Sequence, residues 1–585
     1  MAPPLTDKQK EVVDDRRGLF VVKACPGSGK TLTVAARLNR LLARWRSPHA
    51  GIAAMSFTNT AWQEVERYLV DDYGIAVPLG YPHFLGTIDS FINRFIFLPF
   101  GHKVLGCSGR PELTGPPHND DEPIGRWLYW RNAECNQYGC RLNDFSYDKN
   151  GELIHLSSRS HFNACQSNHE PCSRLKGRFN VEGYATQSDA NYFALELLDQ
   201  SRELASALSH RFPVIIIDEA QDSSSIQMRI LEMLISAGVK EVMLVGDPYQ
   251  AIFEWRQAEP KLFENKFIEW RDNCVWLSEN WRSTQSICDF ACRLANAQDR
   301  IVARNQEVAV YNHTPLLYGY RDESELPSLL QAFRKHCGGL GIGERDISIL
   351  TRRGDFINSI VPGMVPISGL APWRNDDPIT RQVAHAKYLF DRGDFRHALG
   401  KLEVAAYRHL TGSPSHRRED VMAFARARGL GKWRGQLYRL LCELPECSGI
   451  ISAWLPAANA VLSRSSMLKG CSLQIKQNRR PHVYSGIRFD EVFAPPAAKS
   501  EITTTAVGTV HSVKGRSLDA VFVALKSKGA TGGNYVNLVG SSLLENEELR
   551  IIYVAVTRAR KALALAVPQA SHDRWKSILW PTNSK

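Results

Sequence analysis

Ala24-Cys25-Pro26-Gly27-Ser28-Gly29-Lys30-Thr31 lies between a short apolar run, Leu19 to Ala24, and a helical pattern from Thr31 to about Trp45 with Val34, Leu38 and Leu41/Leu42 on one face. Glycines here let consecutive backbone N–H groups converge on phosphate oxygens, and the following helix adds its positive end. The spacing is that of a phosphate-binding loop with Ala24 in place of the first glycine. Pro26, Gly27, Ser28 and Gly29 form the cradle, Lys30 reaches the outer phosphates and Thr31 holds Mg²⁺. A strand, a Gly-rich loop and a helix in that order predict a parallel α/β sheet.

Further strands and helices alternate on either side. Ile52 to Phe57 leads into Thr58-Asn59-Thr60, whose side chains can cap a helix carrying Val65, Tyr68 and Leu69. His83 to Gly86 leads to Asp89-Ser90 and another apolar helix, and buried-strand signals return at Val214–Ile217 and Val242–Val245. Asp218-Glu219 ends the run Val214-Ile215-Ile216-Ile217, which places two carboxylates at the carboxyl edge of the sheet, where ligands of open α/β folds bind. Asp218 is expected to hold Mg²⁺ through water and Glu219 to polarise the attacking water.

A second sheet is expected to start near Val275-Trp276-Leu277 and to include Ile347–Leu350, Val507–Val510, Val521–Leu525 and Leu563–Val567. The fold class is therefore α/β, with two parallel-sheet domains, each with a largely helical insertion. The expected boundaries are 1–99 with 181–270 for the first domain and 100–180 for its insertion. The second domain is expected over 271–372 and 500–585, with a basic helical insertion at 373–499. Within that insertion, Lys401 to Leu441 carries nine Lys/Arg against three Asp/Glu.

Composition narrows the class. The chain has 585 residues, 44% hydrophobic and 23% charged, which is ordinary for a globular protein and excludes collagen, coiled coil and wholesale disorder. No run of 18 apolar residues occurs and Met1 to Arg17 is polar, so neither a membrane span nor secretion is expected. Thirteen scattered cysteines do not make the disulfide framework of a small secreted domain, and a cytoplasmic setting fits. A formal charge of +11 suits a polyanionic partner.

The ordered motifs resemble the UvrD/Rep group of superfamily 1 helicases, whose two motor domains are RecA-like. Gln9, in Leu5-Thr6-Asp7-Lys8-Gln9, matches the family's adenine-reading motif. Ser56-Phe57-Thr58-Asn59-Thr60-Ala61 and Gly86-Thr87-Ile88-Asp89-Ser90-Phe91 resemble the strand-end motifs that contact single-stranded DNA. Asp218-Glu219-Ala220-Gln221-Asp222 is the helicase form of the Mg²⁺ motif, and Gly246-Asp247-Pro248-Tyr249-Gln250 through Trp255-Arg256 is similar to the third motif. Asn280-Trp281-Arg282-Ser283-Thr284, Thr509-Val510-His511-Ser512-Val513-Lys514-Gly515 and Tyr553-Val554-Ala555-Val556-Thr557-Arg558-Ala559 resemble the fourth, fifth and sixth.

The resemblance implies an ATP hydrolase with Mg²⁺, moving 3′ to 5′ on single-stranded or partly duplex DNA. Lys30, Asp218, Glu219, Gln250, Arg282 and Arg558 would be catalytic, the two arginines stabilising charge on the γ-phosphate, and Gln250 would link that phosphate to the DNA side. Trp281 stands where the family has a Tyr that stacks on adenine. Trp255 occupies the stacking position for a DNA base, with Phe57, Thr58, Asn59, Thr87 and His511 as further DNA contacts; stacking is tolerant of sequence.

Some positions depart from the family pattern. Ser517 replaces a Glu that contacts the nucleotide sugar, which puts ribose recognition in doubt, and Cys25 replaces a Gly. Cys135, Cys140, Cys165 and Cys172, spaced C-x4-C and C-x6-C with His161 and His169 nearby, offer zinc ligands without the tight pairs of a strong motif. The basic stretch with Arg417-Arg418, Arg426, Arg428, Lys432, Trp433 and Arg434 suits duplex DNA, a partner protein or simply a solvated helix face. The 27 residues after Arg558 leave no room for an appended nuclease domain, so DNA cutting is expected from a separate chain. The compact second insertion also resembles the small UvrD-like subunits that accompany OLD-family nucleases in anti-phage systems of the Gabija type. That resemblance implies the alternative function of a DNA-sensing ATPase that regulates a partner nuclease.

Overall fold

The computed structural model describes residues 4–75, 79–115, 145–155, 170–254, 257–297, 300–352, 356–361, 378–412, 418–475, 487–493, 507–526 and 539–580. Trp255, Cys135, Cys140 and Cys165 lie outside them, as does the side chain of Cys172.

The first sheet consists of β1 (Leu19–Ala24), β2 (Ile52–Ser56), β3 (Phe84–Thr87), β4 (Val214–Asp218), β5 (Glu241–Gly246) and β6 (Val275–Leu277). Its spatial order is β6-β1-β5-β4-β2-β3, and every pairing is parallel. β2, β4 and β5 are buried at every position, which is why they read as continuous apolar runs. Because all six strands point the same way, the phosphate-binding loop, Phe57, Thr87, Asp218 and Gly246 collect along one carboxyl edge.

The placement of Val275–Leu277 corrects the expectation that these residues open the second sheet. They pair with β1 in the register Val22↔Val275, Lys23↔Trp276 and Ala24↔Leu277. An apolar triplet reports burial but not the identity of its neighbour. Asn273 makes the choice visible, since its side-chain amide donates to the carbonyls of Arg17 and Leu19 beside β1.

The second sheet holds β7 (Leu316–Tyr320), β8 (Ile347–Thr351), β9 (Val507–Thr509), β10 (Leu518–Ala524) and β11 (Ala559–Pro568), in the parallel order β7-β11-β10-β8-β9. The helix Gln285–Ala295 packs against its core through Ile287, Phe290 and Leu294. The two sheets, with the described residues of 4–113, 145–361 and 507–580, form one compact unit. Around residue 100 the chain stays with the first core: Leu105 is buried in it, and Leu98, Phe100 and Val104 pack on it.

A second unit includes residues 365–504, and its described part is helical: Pro378–Asp391, Phe395–Thr411, Arg418–Ala427, Leu430–Glu443 and Ile451–Arg464. Its core contains Leu402, Trp433, Leu437, Trp454 and Phe489. Trp433 is therefore a core residue rather than a surface contact. Arg434 donates to Glu403 at 2.7 Å and Arg428 stacks on Phe424 at 3.5 Å. Among the described residues, no helix is long and apolar enough to cross a membrane.

Candidate nucleotide and nucleic-acid site

The loop after β1 turns on two glycines with positive φ, Gly27 at 70° and Gly29 at 76°. A Cβ on Gly27 would lie 2.7 Å from Arg282 Cβ and 3.1 Å from Asn280 Nδ2, so the position is closed to any larger residue. Gly29 caps the helix Lys30–Arg44, whose first N–H groups have no partner within their own helix. The carbonyls of the loop are held from three sides. Asn280 Nδ2 donates to Pro26 O at 2.5 Å, Trp281 N to Gly27 O at 2.8 Å, and Gln9 Nε2 to Ser28 O at 3.0 Å. Gln9 is buried and Trp281 is 48% exposed, leaving its indole available to a planar ligand.

Asp218, at the end of β4, accepts from Thr31 Oγ1 at 3.2 Å and is fully buried. Burial and the neighbouring Glu219 push its carboxyl well above the usual range, against which Lys30 works. Glu219 follows in the left-handed region at φ 54°, 3.7 Å from Lys30 Nζ. Burial raises its carboxyl, but Lys30, Lys514, Gln221 and Arg558 together hold it below the usual range and so keep it ionised. Gln221 Nε2 donates to Glu219 Oε2 at 2.5 Å.

The opposing groups are Arg558, just before β11 in the second sheet, Gln250 beyond β5, and Arg282, on the segment that leaves β6 of the first sheet. Arg558 is buried, donates to Gln250 Oε1 at 2.9 Å and to Val554 O at 3.1 Å, and Gln250 Nε2 in turn donates to Asp247 at 2.7 Å. Arg282 Nε donates to Ser517 Oγ at 2.8 Å and Nη1 to Thr557 O at 3.0 Å. Burial disfavours the charge on both guanidinium groups, and on Arg558 the proximity of Arg282 adds to it. Two cations held together in this way beside Lys30 are suited to an anion. The hydroxyl of Ser28 is buried with no hydrogen-bond partner among the described residues, the mark of a loop shaped for a further polar group.

The residues proposed for nucleic acid divide into caps and rings. Thr58 Oγ1 caps the helix Asn59–Asp71 by accepting from Ala61 N at 3.3 Å, and Asn59 Oδ1 accepts from Trp62 at 3.1 Å. Thr87 Oγ1 caps the helix after β3 by accepting from Ser90 N at 3.0 Å. Phe57 is buried with its ring 5.4 Å from that of Phe253. His511 is hydrogen-bonded to Ile252 O at 3.1 Å, and burial pushes it down to about 4.

Sequence reasoning missed Glu64, whose carboxyl is raised mainly by burial and which faces Arg67, Glu219, Arg282 and Lys30. Its only local signal is a place two turns into a capped helix. It also missed Phe253 and Arg550. Arg550 is fully buried and fastens the segment after Gln250 to the second sheet's helix, donating to Ala251 O at 2.5 Å and pairing with Glu254.

Two parallel sheets whose carboxyl edges bring a glycine-rich loop, two carboxylates and a buried arginine together define a protein of the two-lobed P-loop class. The UvrD/REP helicase N-terminal domain matches residues 5–97 and 145–268, and the UvrD-like helicase C-terminal domain matches residues 497–569. The chain belongs to the UvrD-like helicase family. DNA helicase II of Haemophilus influenzae is 27% identical over 494 residues, covering 80% of this chain and 61% of that one. The Gabija protein GajB of Bacillus cereus is 26% identical over 353 residues, 59% of this chain and 58% of the relative. The chain thus spans about three fifths of the length of these two relatives.

Proposed function

We propose that the chain is an ATP-dependent translocase on single-stranded DNA, moving 3′ to 5′, in which hydrolysis between the two lobes drives strand movement. The observation that carries this is the cross-lobe constellation itself: Lys30, Asp218 and Glu219 at the carboxyl edge of one sheet meet Arg558 from the other, with Arg282, on the segment between them, bonded to Thr557 O. Phosphoryl transfer leaves a protein mainly positioning and charge stabilisation to supply, and these are the groups for both.

Thr31 and Asp218 would hold Mg²⁺, and the fit is good, because a buried carboxylate beside a second one needs a cation and the Thr31 hydroxyl is already within 3.2 Å. When bound, the ion screens phosphate charge. Glu219, kept ionised, takes the proton of the attacking water as the water oxygen bonds to the γ-phosphorus and the bond to the β-phosphate oxygen breaks. Lys30, Arg282 and Arg558 hold the phosphate oxygens, a service worth about 10³–10⁵ in rate for a single well-placed arginine. Gln9 and Trp281 would flank the adenine.

The test is ATP turnover by purified Lys30→Ala and Glu219→Gln. Both should lose hydrolysis by about 10³-fold or more while single-stranded DNA binding persists, since neither side chain should touch a base. Normal turnover by Lys30→Ala would end the assignment.

A second reading is supported by the relative named as a Gabija protein. In it, the chain is a DNA-sensing ATPase subunit whose turnover regulates a separately encoded nuclease of the OLD family.

A further inference from the structure

Lys514 follows β9 in the second lobe and touches two things at once. Its Nζ lies 2.5 Å from Asp222 Oδ2 of the first lobe, with the side chains only 10% and 1% exposed. The same ammonium sits 4.5 Å above the ring of Phe253, which is packed 5.4 Å from Phe57 and 6.1 Å from His511. Behind Asp222 the contacts continue. Gln221 Nε2 donates both to Asp222 Oδ2 at 3.2 Å and to Glu219 Oε2 at 2.5 Å, while Gln221 Oε1 accepts from Asp247 N at 3.1 Å.

A buried ion pair is weak evidence of added stability, because desolvating two charges offsets most of their attraction. The arrangement also leaves something over. Asp222 Oδ1 is buried with no hydrogen-bond partner among the described residues, so the carboxylate offers the ammonium a second seat beside the one it occupies. A coupling element needs two such discrete arrangements that both sites can bias.

We propose that Lys514 is a positioning residue that couples the Phe57–Phe253 ring pair to the hydrolytic carboxylate Glu219, through Asp222 and Gln221. The inference rests on the DNA-dependent hydrolysis proposed above. A base stacked against Phe253 competes for the ring face that Lys514 covers. Lys514 then keeps only its Asp222 contact, and it shifts toward the open oxygen. Gln221, shared between the two carboxylates, follows, and Glu219 changes its hold on the attacking water. A ligand can shift such an equilibrium only through contacts that differ between the two states, and the ring face is that contact.

The test uses the full chain, ATP turnover with and without oligo(dT), and oligo(dT) binding measured separately. In Lys514→Met and in Asp222→Asn, the ratio of stimulated to basal turnover at saturating oligo(dT) should fall by about fivefold or more, the low end of typical site-to-site coupling. The KM for ATP should change little, and Lys514→Arg should restore most of the ratio. The double variant should be no worse than either single one, since both remove the same link. A Lys514→Met or Asp222→Asn protein that binds oligo(dT) and keeps the parent ratio overturns the inference while leaving the proposed function standing. The inference also falls if Lys514→Arg fails to rescue, or if the variants lose only oligo(dT) binding. A parent whose turnover ignores oligo(dT) removes the DNA-coupled reading and this inference together.

Discussion

At the scale of single residues, His511 shows how burial sets chemistry. Its ring, bonded to Ile252 O, is pushed from its ordinary 6.5 to about 4 by burial, with Arg352 and Lys514 adding to the effect. It is therefore neutral at physiological pH, and in the proposed strand-binding role it would bring shape and a hydrogen bond rather than charge. Two outcomes follow from the sign of the shift. Oligo(dT) affinity of the parent and of His511→Gln should run in parallel between pH 7.5 and 5.5, because no proton is taken up by His511 in that range. Folding stability should behave differently. The unfolded chain binds the proton below 6.5 and the folded chain only below about 4, so this contribution is intact above 6.5 and is lost as pH falls toward 4. The loss should reach about 1–3 kcal/mol and be absent in His511→Gln, measured by urea denaturation across that range.

At the scale of elements, the parallel sheet and its helix caps place the site. β2 and β3 end on one edge at Ser56 and Thr87, and in each case a threonine hydroxyl starts the next helix. Thr87 is part of a reciprocal box: Ser90 Oγ accepts from Thr87 N at 2.9 Å while Thr87 Oγ1 accepts from Ser90 N. Its hydroxyl is thus committed to the helical run that continues through Phe100. Thr87→Ala should cost about 1 kcal/mol of stability and Thr87→Ser much less, both read by urea denaturation. Single-stranded DNA affinity should follow the same order, because the cap aims the backbone of the strand-end motif. A large affinity loss in Thr87→Ala with unchanged stability would assign the hydroxyl to the strand instead.

At the scale of the whole molecule, one compact unit contains both sheets and every described nucleotide-site residue, while the helical unit has its own core around Trp433 and Trp454. The second proposed reading places the chain beside a nuclease. A separately encoded nuclease should therefore copurify, and its cutting should require Lys30. Electrostatic binding to a shared strand could mimic association but weakens steeply with salt, so recovery should be scored in high salt after digestion of carried-over DNA. Failure to recover a nuclease, together with efficient unwinding of long duplexes by the isolated chain, would favour the autonomous translocase.

Local patterning was enough to place the glycine-rich loop after β1, the carboxylates at the end of β4 and the two-sheet class, because backbone geometry at Gly27 and Gly29 and the burial of Val214–Ile217 are written into consecutive residues. Partnership across the chain was not legible in this way. Val275–Leu277 has the same apolar pattern whichever sheet it joins, and only pairing with β1 assigns it to the first. Trp433 sits in a basic stretch yet is buried, because its neighbours on other helices, not its neighbours in sequence, decide its exposure. Glu64, Phe253 and the Lys514–Asp222 pair bring together residues that are far apart in the chain, the pair spanning 292 positions. Such contacts arise only when two sheets close on each other, since their energy depends on distance and desolvation in three dimensions.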